Sequence, residues 1–143
     1  MMKKLIIVMI LTSVLYNCMA PDLPTPFLIP AAAGIESYEP LIRAVFRYES
    51  NGDSLAYNVL EGATGGLQIR QCRVDHWNEL MNTNYKLKDF YSYQLSKEMY
   101  LYFTNHDGRG NLIPNKSYEQ TAKDWNGSGP MTEVYWNNLK QMI

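Results

Sequence analysis

The sequence predicts an α+β domain that is predominantly α-helical, and three observations carry that expectation. Apolar residues recur at helical spacing in several segments, and one glycine-rich stretch, Asn51 to Gly66, interrupts the pattern. The hydrophobic content, 46% of 143 residues, suits one ordinary core. The formal net charge of -1, from thirteen basic and fourteen acidic residues, supplies no basic stripe for a phosphate backbone and argues against nucleic acid as a partner. Eleven tyrosines and three tryptophans suit a sugar-binding cleft, and equally a small core ringed by half-buried phenols.

Residues 1–20 read as an export signal. Lys3 and Lys4 precede an apolar run from Leu5 to Leu15, too short to span a bilayer and of the right length for a secretory core segment. Two cleavage patterns compete. Leu15-Tyr16-Asn17-Cys18 is similar to a lipoprotein signal, which would lipidate Cys18 and attach the protein to a membrane. Cys18-Met19-Ala20 fits ordinary cleavage after a small residue. The lipoprotein pattern is preferred, although Asn17 and Tyr16 depart from it. The expected location is the periplasm or the outer membrane of a bacterium. Either way Cys72 has no disulfide partner, and it reads as a small buried hydrophobe. Residues 21–36, with Pro21, Pro24, Pro26 and Pro30, read as an extended tether before a domain over 37–143.

Within that domain, Pro40 suits a first helical turn, and Leu41, Ile42, Val45 and Phe46 lead at helical spacing to Glu49. The stretch Asn51 to Gly66 is an irregular loop with a short strand or hairpin. A second helix is expected from Gln68 to Asn82, its apolar side formed by Ile69, Cys72, Trp77, Leu80 and Met81. A third is expected from Asp89 to Asn105, with Asp89 as N-cap. Asp107 to Lys116 is a loop; Ser117 and Gln120 then form a capping box for a helix through Trp125, which Gly127 to Pro130 ends. Thr132 caps a last helix carrying Tyr135, Leu139 and Met142.

Glu49 is the candidate for chemistry. Residues three, four and seven positions back place Phe46, Val45 and Ile42 beside it, and the helix C-terminus adds negative potential. Both disfavour a carboxylate and keep a carboxyl protonated toward neutral pH, which suits a general acid. A solvated glutamate at a helix end is the plainer alternative. His76, His106 and Cys72 fall at no metal-ligand spacing, and no phosphate-binding glycine motif or nucleophile elbow occurs, so neither metal nor cofactor is expected.

Glu49-Ser50, then Gly62-Ala63-Thr64-Gly65-Gly66-Leu67-Gln68-Ile69, then Trp125-Asn126-Gly127 resemble, in order and approximate spacing, the motifs of the soluble lytic transglycosylase family. The resemblance covers the chain from about Leu41 onward. It implies a goose-type lysozyme-like fold, with a loop or hairpin lobe beside a cleft that binds peptidoglycan glycan strands. It further implies Glu49 as the catalytic acid, Ser50 lining the site, and Gln68 facing sugar hydroxyls or N-acetyl groups. A glutamine bridging loop backbone is an equally physical role for Gln68. Gly65 and Leu67 belong to the same loop, and Trp125 and Asn126 to the late motif.

Departures accompany the likeness. Gly66 and Leu67 stand where the family has leucine and methionine, implying a more flexible loop. Trp125 stands where the family has a tyrosine whose hydroxyl reaches the glutamate; the indole N–H supports Glu49, or the ring is plain core. A hydrolase needs a second carboxylate, for which Asp53, Glu61 and Asp75 are candidates, the first two with a turn or solvated role as the alternative. In the family's lytic mechanism one glutamate suffices. The activity implied is therefore cleavage with a 1,6-anhydromuramic acid product, by a monomer. The alternatives are a hydrolytic lysozyme and a wall-binding lipoprotein that has lost activity.

Overall fold

The computed structural model describes residues 38–143. The segments expected to be a signal and a tether, with Cys18, lie outside the described residues. The fold is predominantly helical, with five α-helices and a small two-stranded sheet among the described residues.

Helix α1 (Glu39–Ser50) starts with Pro40 in its first turn and buries Leu41, Ile42, Ala44 and Val45. Asn51 ends it in the left-handed conformation, φ 56°, with its N–H on the Arg47 carbonyl. Glu49 therefore lies in the last turn. The loop that follows contains an antiparallel pair, β1 (Tyr57–Asn58) and β2 (Ala63–Thr64), with Tyr57 opposite Thr64 and Asn58 opposite Ala63. This is the expected hairpin.

Thr64 and Ile69 exchange both backbone hydrogen bonds, at 2.8 and 2.9 Å, and pinch off Gly65 to Gln68 as a tight loop. Two glycines make it fit. A Cβ on Gly65 would meet the Phe90 carbonyl oxygen at 2.2 Å, and one on Gly66 would lie 1.5 Å from Cε2 of Phe46. Gly66 thus lets the Phe46 ring pack against the loop, and the looseness expected of a Gly-Gly pair is replaced by close contact.

Helix α2 (Gln71–Met81) begins three residues later than the sequence suggests, because Gln68 takes φ 51°, Ile69 pairs with Thr64, and Arg70 is extended. The apolar face shifts accordingly. Val74 and Trp77 are buried, Leu80 is exposed, and Cys72, pointing to the opposite side of the helix from Val74, is exposed rather than buried.

The expected single helix from Asp89 is two elements, a 3-10 turn (Leu87–Tyr91) and α3 (Tyr93–Asn105). Asp89 Oδ2 accepts from the Lys86 N–H at 2.7 Å and so caps the turn. Ser92, with ψ 115°, breaks the helical path, and its hydroxyl caps α3 by accepting from Leu95 N–H. The buried face of α3 includes Met99, Tyr100 and Leu101 at the centre of the core.

Helix α4 (Tyr118–Asn126) has Ser117 as its N-cap, accepting from Gln120 N–H as the sequence indicates. Helix α5 (Met131–Leu139) is entered through Pro130. Thr132 is not its cap: the hydroxyl lies one residue inside the helix and donates to the Gly129 carbonyl at 2.7 Å. Tyr135 and Leu139 face the core, while Met142 lies past the helix and is exposed. Helix α4 packs on α3 and α5, and α1 packs on both α4 and α5. That packing brings the end of α1 against the middle of α5.

Candidate active site

A cavity of about 290 Å³ opens beside the end of α1. Glu49, Glu61, Leu67, Gln68, Trp125 and Asn126, all proposed from sequence, line it together with Arg70, Cys72 and Arg73. Four separate stretches of chain thus converge: the end of α1, the hairpin with its glycine loop, the first turn of α2 and the end of α4.

Glu49 is largely buried here. Burial raises its pKa above the ordinary carboxylate value; the hydrogen bond from Tyr135 opposes this, Glu61 adds to the rise, and Arg70 and Arg73 oppose it. The phenolic O–H of Tyr135 donates to Glu49 Oε1 at 2.8 Å. Tyr135 is itself buried, which raises its own pKa, and the Glu49 charge raises it further, so the phenol remains a donor. The Tyr48 ring packs edge-on against it, with centroids 5.0 Å apart, and fixes its orientation. Sequence reasoning placed Tyr135 on a core face and missed this role. Helical periodicity located the ring, but nothing local to Tyr135 names what its hydroxyl meets.

Trp125 is therefore not the hydrogen-bond partner of Glu49. It belongs to the core and to the cavity wall: its ring lies 4.8 Å from that of Tyr100, and the Arg73 guanidinium carbon sits 3.9 Å from its ring centroid. Arg73 Nη2 also donates to the Trp125 carbonyl at 2.8 Å, tying α2 to the last turn of α4. Burial lowers the Arg73 pKa, yet a guanidinium stays charged.

Gln68 takes the loop-bridging role and also faces the cavity. It lines the cavity, and its Nε2 donates to the Gly65 carbonyl at 2.9 Å, holding the tight loop closed. Leu67 is buried beneath it. Gly65 shapes the loop by its close approach to Phe90 and is not itself a cavity-lining residue. Ser50 does not line the cavity either, because its hydroxyl turns back along α1 to the Phe46 carbonyl at 2.8 Å.

Of the three candidate second carboxylates, Asp75 lies outside the cavity, and so does Asp53. It is exposed, and its Oδ1 accepts from the Leu55 N–H at 2.8 Å in a turn. Glu61 is on the cavity rim and is paired with Arg70. Among the described residues no group of three His, Cys, Asp or Glu side chains is placed to hold a metal ion. His76 is exposed and His106 is the C-cap of α3; both lie at a second cavity of about 190 Å³, away from Glu49.

Burial favours the neutral acid form of Glu49, which suits it to donate a proton, and the Tyr135 hydroxyl can orient the carboxylate that results. Comparison of the chain with protein-family models, with curated proteins and with solved structures finds no significant match.

Proposed function

We propose that this chain is an exported peptidoglycan lytic transglycosylase with a lysozyme-like catalytic domain, cutting the β-1,4 bond between N-acetylmuramic acid and N-acetylglucosamine. The observation that carries the reading is the partly buried Glu49 in a cavity, bonded at 2.8 Å to the Tyr135 hydroxyl. Glu49 protonates the glycosidic oxygen as the C1–O bond breaks. The same group, now a carboxylate held by Tyr135, takes the proton from the muramoyl C6 hydroxyl, whose oxygen closes on C1 to give the 1,6-anhydro sugar. The nucleophile is part of the substrate, so its effective concentration is high and no second carboxylate is required. Supporting this reading, residues of the glycine loop and of the Trp125-Asn126 motif line one cavity with Glu49.

Mass spectrometry of digested peptidoglycan tests it. Anhydro-ended fragments from the wild type, and none from Glu49→Gln, are expected. Reducing ends would instead establish a hydrolytic lysozyme, the second reading, which is favoured by the presence of Glu61 at the same cavity. A wild type that binds wall and releases nothing would leave the inactive wall-binding lipoprotein.

A further inference from the structure

Four charged side chains line the cavity, and their charges do not cancel equally. Glu61 and Arg70 form an ion pair with each other. Glu49 is held toward its neutral acid form by burial. Arg73 forms no salt bridge among the described residues; its one strong anchor is the neutral Trp125 carbonyl, with the indole face beneath the guanidinium. Arg73 is therefore a partly buried cation at the cavity that no carboxylate contacts in an ion pair; Glu49, in the same cavity, acts on it only through space.

A guanidinium removed from water without an anionic partner is costly unless a ligand supplies one. Its position is rigid. The stack on Trp125 and the bond to the Trp125 carbonyl hold the plane, while Nη2 alone is engaged by that carbonyl, so the fork retains donors for a carboxylate.

We propose that Arg73 is a specificity-determining residue that binds a carboxylate carried on the muramoyl O3 substituent of the glycan. The inference rests on the reading of Glu49 as the acid of a glycan-cleaving enzyme, because Glu49 and Arg73 share one cavity. The muramoyl unit whose C1 bond is cut must then present its O3 substituent within about a sugar's width of Glu49. That substituent bears a carboxylate in two forms. Stripped of peptide, the lactyl group ends in a free carboxylate; with its stem peptide attached, the carboxylates are those of the peptide.

The test uses three preparations of one glycan: strands with intact stem peptides, strands stripped by an amidase, and stripped strands whose lactyl carboxyls have been converted to amides. Binding is read with Glu49→Gln, and cleavage with the wild type. Carboxylate-bearing strands should bind and react at least about tenfold better than neutralised strands, the size of one charge-assisted hydrogen-bond pair. Preference for stripped over peptide-bearing strands assigns the lactyl carboxylate, and the reverse assigns the peptide. Arg73→Gln should abolish the preference, chiefly through KM, and Arg73→Lys should keep part of it. Equal use of charged and neutralised strands by the wild type overturns the proposal, as does a folded Arg73→Gln that still discriminates. If Arg73→Gln does not fold, the wild-type comparison alone decides. Cleavage without charge preference sinks this inference and leaves the functional reading standing. Carboxylate-selective binding without cleavage does the opposite.

Discussion

Tyr135 and Glu49, 86 residues apart in sequence, are joined by a 2.8 Å hydrogen bond in which the phenol donates and the carboxyl oxygen accepts. The bond favours the charged form of Glu49, while burial, the larger influence, favours the neutral form. The proposed mechanism, in which Glu49 is first an acid and then a base, needs both influences.

Removing the hydroxyl separates them. Tyr135→Phe keeps the ring packed on Tyr48 and deletes the donor, so Glu49 should titrate higher and become a poorly stabilised carboxylate. The expected loss in the rate of anhydro-fragment release is about 10- to 100-fold, from a hydrogen bond to a charged group worth about 1.5–3 kcal/mol. The alkaline limb of the pH–rate profile should move upward. A downward move would contradict the assigned direction of the bond.

Glu49→Gln should remove activity by at least about 10³-fold, since in the proposed mechanism one residue serves as both acid and base. Its effect on stability has a definite sign. The folded pKa of Glu49 is raised, so the wild type loses stability as pH rises through that value, whereas below the unfolded pKa of about 4.3 the penalty is gone. Gln stays neutral and still accepts from Tyr135. Thermal midpoints measured from pH 3.5 to 8 should show the variant matching the wild type in acid and exceeding it at neutral pH.

Glu61→Gln distinguishes a neighbour from a participant. If Glu61 only adds negative potential, its removal should lower the Glu49 pKa and shift the alkaline limb of the rate profile downward. The pair with Arg70 is about half exposed on both sides, so stability should change by about 1 kcal/mol or less. A rate loss of about 10²-fold or more with the profile unmoved would identify Glu61 as a second catalytic carboxylate. Asp53→Asn, altering an exposed turn, should leave activity within about twofold.

The two loop glycines predict a graded pair. Gly66→Ala drives a methyl into the Phe46 ring, a side chain able to move, and should cost about 1–3 kcal/mol in denaturant unfolding. Gly65→Ala meets the Phe90 backbone carbonyl and keeps a φ of 74°, so it should cost more than Gly66→Ala. Phe46→Leu combined with Gly66→Ala should recover part of the loss, because the obstructing ring edge is gone.

Much of the scaffold around Glu49 was legible because local chemistry dictates it. Pro40, the apolar spacing through Val45 and the turn residues after Ser50 place Glu49 in a last helical turn, and Ser117 marks the start of α4. The misplacements arose where tertiary contacts chose between local options. Asp89 and Ser92 are both good caps, and the chain uses each for a different element. Ile69 fits a helical stripe, yet pairing with Thr64 holds it in the loop, and the delayed start of α2 turns Cys72 outward. The partner of Glu49 was illegible for a different reason. Trp125 and Tyr135 are ten positions apart on successive helices, both buried, and only the packing of α1 against α5 decides which one reaches the carboxyl.

The glycine loop, clamped between Phe46 and Phe90, makes one wall of the cavity a direct extension of the hydrophobic core. Attempts to retune the cavity for other ligands by varying that loop should therefore be selected against as folding defects before any change in selectivity is seen. The tolerant side is the rim of Glu61 and Arg70, where exposed groups border the same cavity without supporting the interior. Variation among natural or engineered versions of this domain should concentrate there.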